Sequence, residues 1–160
     1  MHNNKRNIRI QLLLRFIIFI IAVIWFTGLI SPCIKNNFLH SIYPYLKLGY
    51  STVCHQNVNK SFTCENGTFL VCARCTGIYM GVLISSLIIL IPQITIKIKT
   101  WQLILFSLPM LADVIFYSIG LYQYNKIIAA ITGILFGSAV FLYILGAIEN
   151  SLYTKIKTHK

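Results

Sequence analysis

Four apolar runs dominate the pattern of hydrophobic and polar positions along this chain of 160 residues. The runs cover residues 12–30, 71–91, 101–120 and 127–148, and polar, basic or turn-forming residues separate them. A helix needs roughly 20 apolar residues to cross the hydrocarbon core of a bilayer, and each run is about that long. The pattern therefore predicts an all-α membrane protein with four transmembrane helices, folded as a single membrane domain over residues 1–160.

The composition agrees with this prediction, since 57% of the residues are hydrophobic and only 11% are charged. The net charge of +11 is typical of nucleic-acid binding as well, but the cations cluster at the ends of the apolar runs, where membrane topology places them. We therefore expect the lipid bilayer as a partner and no nucleic acid. Protein partners and oligomeric state are left open. Only three acidic residues are present, which excludes an active site of paired carboxylates.

The first apolar run has a second interpretation, because a basic N-terminus followed by an apolar stretch also begins a secretory signal peptide. This run is long, and no motif of small residues for cleavage follows it. We therefore interpret residues 12–30 as the first transmembrane helix.

The basic residues orient the predicted helices. Most of them lie in the N-terminal segment, in the link around residues 97–99 and in the C-terminal tail, which share one side of the membrane if there are four spans. Loops rich in Lys and Arg stay cytoplasmic, so the pattern predicts a multi-pass protein of the cell membrane with both termini in the cytoplasm. Residues 31–70 then form a long outer loop between helices one and two, on the oxidising side where disulfides persist.

A cysteine motif joins this loop to the second helix. Cys72 and Cys75 are one helical turn apart at the helix N-terminus, where the helix dipole stabilises thiolates for metal binding or redox exchange. With Cys54 and His55 from the loop they complete a Cys3His set, the composition of a structural zinc site. The sequence therefore predicts zinc or another transition metal at these four residues. Because neighbouring residues rarely ligate one ion together, three thiolates with an open position are an alternative.

The same thiols allow other functions, and whether the protein is an enzyme is left open. A membrane thiol-disulfide oxidoreductase would use Cys72 and Cys75 as the exchanging dithiol, with Cys54 as the resolving cysteine. The cysteines could instead staple the loop to helix two through structural disulfides. A small transporter using Asp113 is a further alternative.

Arg74 and Asp113 form a second candidate site. On a helical wheel Arg74 shares a face with Gly77 and Gly81, so it points into the bundle. Asp113 lies about 10 Å from the outer end of helix three, at 1.5 Å per residue. An isolated carboxylate at that depth is costly, so we expect Asp113 to form a buried polar pair with Arg74. The pair would serve either as a structural ion pair or as a proton or ion relay. Alternatively, Asp113 is protonated or binds a cation.

A T-G-I-x-x-G motif occurs twice, in helices two and four. Each copy contains a G-x-x-x-G spacing, which allows two helix backbones to approach closely. The repeat predicts a packing seam between the two helices at Gly77, Gly81, Gly133 and Gly137.

Several short motifs together resemble the domain of unknown function 2085 family, a group of small multi-pass membrane proteins. The motifs are CHQ at 54–56, KSF at 60–62, VCARCTGIYMG at 71–81, LPMLAD at 108–113 and TGILFG at 132–137. The resemblance implies a helical membrane architecture and picks out the same cysteines, but it implies no activity. Cys33 and Cys64 lie outside the family pattern and are available to pair as a disulfide, which leaves three thiols for a site.

Overall fold

The computed structural model describes residues 2–35, 37–91 and 98–158, and the side chains within 11–35, 41–91 and 98–151. About 75% of the described residues are helical. The elements in chain order are helix α1 (His2–Leu29), helix α2 (Asn37–Ser51), strand β1 (Ser61–Cys64), strand β2 (Gly67–Cys72), helix α3 (Ala73–Ile89), helix α4 (Thr100–Ser118) and helix α5 (Lys126–Thr158).

Three of the described helices are long and apolar enough to cross a membrane. Their spans are Gln11–Leu29 in α1, Thr100–Ser118 in α4 and Lys126–Ser151 in α5. Helix α3 is equally apolar but has only 17 residues, which lies at the lower limit for a span. The prediction of a mostly helical membrane protein is confirmed.

The segment between the first two predicted helices, which we predicted as a long loop, contains a helix and two strands, so the fold is not purely α-helical. Residues 37–51 form α2, although Pro44 and Gly49 lie within it. Tyr43, Leu46 and Tyr50 recur at helical spacing and pack in the buried cluster around Leu29, so burial outweighs the weak helix propensity.

Strands β1 and β2 form an antiparallel hairpin, with Cys64 opposite Gly67 and Ser61 opposite Cys72. Because Val71 and Cys72 complete β2, helix α3 begins at Ala73, two residues later than predicted. The polar Thr63 and Thr68 face each other across the pair. Strands this short and of mixed polarity do not show the long alternation of apolar and polar residues that predicts a strand from a sequence.

Side-chain contacts at the two ends of the bundle define the helix directions. Arg15, near the start of the α1 span, donates from Nε to Glu149 Oε1 at 2.8 Å and from Nη1 to the Ile89 carbonyl at 3.0 Å. The start of the α1 span therefore meets the ends of α3 and α5. At the opposite end, which we call the cysteine end, Arg74 at the start of α3 pairs with Asp113 near the end of α4. Helices α3 and α5 are thus parallel, and α1 and α4 run antiparallel to them.

Helix α3 packs most extensively against α5, through the repeated glycines. A side chain at Gly77 would collide with the Ala130 carbonyl, and one at Gly133 would collide with the Arg74 carbonyl. Gly81 and Gly137 meet the backbone of the opposite helix in the same way. Only glycine allows backbones this close, so the seam holds α3 in one position against α5.

We predict that replacing Gly77 by Ala destabilises the protein by about 1–3 kcal/mol, because the added methyl group meets backbone that cannot move aside. The measurement is the thermal unfolding midpoint in detergent. Gly146→Ala in α5 is the matched control, since a Cβ there meets nothing within 4 Å. Equal midpoints for the two variants would contradict a tight seam.

Candidate metal centre at the start of helix α3

Three cysteines from separate elements meet at the cysteine end. Cys54 is buried and follows α2, Cys72 is the last residue of β2, and Cys75 lies in the first turn of α3. Their sulfur atoms all lie within 4.8 Å of one another. The hairpin and α2 thus bring a loop cysteine onto the Cys-x-x-Cys turn of a helix.

A strained turn positions Cys54. Its backbone N–H donates to the Tyr50 carbonyl at the end of α2 at 3.0 Å. Gln56 adopts a left-handed conformation with φ of 48°, which is uncommon for a residue other than glycine. The Gln56 side chain donates to the Lys47 carbonyl at 2.8 Å and so ties the turn back to α2. Strain of this kind concentrates at functional sites.

Electrostatics favour a thiolate at Cys54. The Cys72 N–H, at the N-terminus of α3, donates to the Cys54 sulfur at 3.3 Å. Hydrogen bonds from the Cys72 and Cys75 thiols, together with the Cys72 N–H, hold the pKa of the Cys54 thiol below its usual range. Sequence reasoning assigned the benefit of the helix N-terminus to Cys72 and Cys75. In the structure, the Cys72 N–H at the start of α3 donates to the sulfur of Cys54, the loop cysteine.

His55 does not join the cluster. Its side chain is exposed, and within the described residues the group able to hold an ion consists of Cys54, Cys72 and Cys75. The structure thus brings together three of the four predicted ligands. A tetrahedral ion held by three protein ligands keeps one position for water or another ligand.

Aromatic residues pack against one side of the site. The Trp25 ring of α1 lies 4.8 Å from the Tyr50 ring and 6.0 Å from the Tyr79 ring. Tyr50 is 3% exposed, and its hydroxyl donates to the Trp25 carbonyl. Burial raises the pKa of Tyr50 to about 12, so the phenol remains a neutral donor. These residues shield the cysteines, and sequence reasoning missed them because single aromatics near span ends usually anchor a helix at the interface.

Cys33 and Cys64 form a disulfide, as expected, with their Cα atoms 5.8 Å apart. The bridge joins the turn after α1 to strand β1, so the hairpin is tied to the end of the first helix. Cys54, Cys72 and Cys75 remain free. Disulfides of this kind persist on the oxidising side of a membrane.

The structure also brings Arg74 and Asp113 together. Arg74 Nη2 donates to Asp113 Oδ2, and Tyr122, in the connection between α4 and α5, donates to Oδ1. The Asp113 side chain is only 2% exposed, so both of its oxygens need partners. Arg74 lies between Cys72 and Cys75, and its ion pair therefore ties the cysteine turn to α4. Tyr122 was missed because nothing in its sequence context marks it as a partner of an acid nine residues away.

Comparisons with known proteins cover the part of the chain that contains the three cysteines. Residues 54–143 match the model of a family described as predicted membrane protein, DUF2085. The uncharacterized protein MJ1492 of Methanocaldococcus jannaschii is 37% identical over 125 residues, which cover 76% of this chain and 80% of that protein. No solved structure matches the chain.

We predict that Asp113→Asn lowers the stability of the folded protein by about 2–3 kcal/mol, because it leaves the partly buried Arg74 guanidinium without a counter-charge. Thermal unfolding in detergent measures the effect. Glu65→Gln is the control, since Glu65 is exposed at the hairpin turn. A stable Asp113→Asn protein would instead favour a relay role for the carboxylate.

Proposed function

Because the chain belongs to the DUF2085 family of predicted membrane proteins, whose description names no activity, we propose a function from its own residues. The protein binds one soft transition-metal ion, zinc in the first place, at the outer face of the cell membrane. Cys54, Cys72 and Cys75 are the ligands.

The observation that carries this proposal is the convergence of three sulfurs within 4.8 Å. A tetrahedral zinc ion lies about 2.3 Å from each sulfur, which requires sulfurs about 3.8 Å apart. Small side-chain rotations cover the difference. Thiolates select soft ions such as zinc and monovalent copper over magnesium or calcium, and no carboxylate joins the cluster in the described part of the chain.

The surroundings support a site with an open fourth position. Trp25, Tyr50 and Tyr79 cover one side with aromatic surface, while Cys72 and Cys75 are partly exposed on another. A structural zinc site is closed by four protein ligands, whereas a site with three ligands accepts an exchangeable one. We therefore propose an ion that binds or presents a further ligand, rather than one that only holds the fold together.

The proposed topology has four spans, with α3 as the second and both termini in the cytoplasm. Helix α3 packs between α1 and α5, and the antiparallel arrangement brings the start of the α1 span and the end of α5 to the same side. The basic N-terminal and C-terminal segments share that side, as cytoplasmic segments do. The disulfide then lies on the oxidising side, with the cysteine site.

Thiol-disulfide exchange is the second candidate, favoured by the stabilised thiolate at Cys54 beside two further thiols. The Cys54 thiolate would attack a disulfide of a partner protein and release one partner thiolate. Cys72 or Cys75 would then displace the second partner thiol, so that the partner is reduced and the cysteine pair is oxidised. In this scheme Cys54 is the nucleophile and the Cys-x-x-Cys pair resolves, the reverse of the assignment drawn from the sequence.

We predict about one zinc ion per chain in detergent-purified protein, measured by elemental mass spectrometry. Serine at Cys54, Cys72 or Cys75 should lower the content at least about tenfold, because two thiolates hold zinc poorly. His55→Ala is the matched control and should retain the metal. Protein without metal whose cysteines are oxidised in pairs would contradict this proposal and favour thiol exchange.

For the topology, we predict that green fluorescent protein fused to the C-terminus is fluorescent and that alkaline phosphatase fused there is inactive. Both results follow if an even number of spans returns the chain to the cytoplasm. Alkaline phosphatase fused after Gly120 is the control and should be active. If α3 does not cross the membrane, the two termini lie on opposite sides. Alkaline phosphatase would then be active at the C-terminus and inactive after Gly120.

A further inference from the structure

A second polar cluster lies beside Cys72, made of Lys60, Arg74, Tyr117 and Tyr124; we call it the Lys60 cluster. Lys60 Nζ lies 4.3 Å from the centre of the Tyr117 ring and 5.4 Å from that of Tyr124. The Arg74 guanidinium carbon lies 6.0 Å from the centre of the Tyr124 ring. Two cations therefore approach one aromatic side chain from different elements.

Four parts of the chain build this cluster, and Tyr117 comes from the end of α4. Lys60 directly precedes Ser61, which pairs with Cys72 across the hairpin. Arg74 lies in the first turn of α3, and Tyr124 lies in the connection before α5. The Tyr117 and Tyr124 rings pack edge to face with their centres 5.5 Å apart. This arrangement holds the cations near each other despite their repulsion.

The cluster carries excess positive charge. Asp113 is the carboxylate that pairs with Arg74, and Arg74 Nη2 and the Tyr122 hydroxyl already occupy its two oxygens. Lys60 has no carboxylate within ion-pair distance in the part of the chain that the structure describes. The cluster therefore holds two cations and one carboxylate.

Two donors in the cluster also lack an acceptor. Arg74 Nε and the Tyr124 hydroxyl are buried, and neither has a hydrogen-bond partner among the described residues. A tyrosine hydroxyl keeps its proton at neutral pH and can donate. Buried donors are normally satisfied in a folded protein. An anionic oxygen that accepts hydrogen bonds from both Arg74 Nε and the Tyr124 hydroxyl would satisfy them.

We propose that the Lys60 cluster binds a phosphate group, with Lys60 as a charge partner and Arg74 Nε and the Tyr124 hydroxyl as donors. Arginine and lysine with a hydroxyl donor are the usual phosphate ligands in proteins. At the outer membrane surface that phosphate is either the headgroup of a phospholipid or free inorganic phosphate. The site is separate from the cysteine ligands and does not depend on metal binding.

Native mass spectrometry of delipidated protein in detergent tests the proposal with two probes, phosphatidylglycerol and inorganic phosphate. We expect the wild-type protein to bind at least one of them. Lys60→Ala and Tyr124→Phe should weaken that binding at least about tenfold, since each removes one charge-assisted contact. Lys47→Ala, which removes an exposed lysine of α2, is the matched control and should bind like the wild type. Binding of the lipid alone identifies a headgroup site, and binding of inorganic phosphate identifies a site for the free ion.

Tyr124→Phe removes only a hydroxyl group, and Lys60→Arg retains the charge, so these variants separate binding from folding. Retained binding in Lys60→Arg with lost binding in Tyr124→Phe supports the proposal. It is overturned if the wild-type protein binds neither probe, or if Lys60→Ala and Tyr124→Phe bind as tightly as Lys47→Ala.

Discussion

The close approach of α3 and α5 is the constraint on which the cysteine end depends. With glycines at 77, 81, 133 and 137, each helix meets the backbone of the other directly, so neither helix can rotate or slide without a collision. That seam begins within one turn of Cys75. The direction in which the first turn of α3 presents its thiols and Arg74 is therefore set by helix packing, and the outer segments then assemble on a fixed support.

Charged groups reinforce this arrangement at both ends. Arg15 joins α1 to the ends of α3 and α5, and Arg74 joins the start of α3 to α4. An unpaired charge in a bilayer is expensive, whereas a paired and hydrogen-bonded one is tolerated. The two arginines thus define which faces of these helices turn inward. The disulfide adds a covalent tie between the turn after α1 and the hairpin, and Cys54 is brought to α3 through these contacts.

The parts of the structure that follow local rules were predictable from the sequence. Apolar runs of membrane length, a repeated G-x-x-x-G spacing and an acid buried opposite an arginine each have one dominant physical solution. Helix α2 and the hairpin were missed because they are stabilised by contacts with Leu29 and by a disulfide, which are tertiary features. The residue types predicted His55 as a ligand, but Cys54 is buried against the start of α3 and the neighbouring imidazole is exposed. The sequence pattern does not show which of two adjacent side chains faces a helix.

In the proposed site three sulfurs, and no imidazole, hold a metal at the start of α3. X-ray absorption spectroscopy of the zinc-loaded protein at the zinc edge reports these ligands. We expect three sulfur neighbours at about 2.3 Å and one lighter neighbour at about 2.0–2.2 Å, without the outer-shell scattering that an imidazole ring produces. A first shell made only of nitrogen and oxygen, or a clear imidazole signal that disappears in His55→Ala, would contradict it.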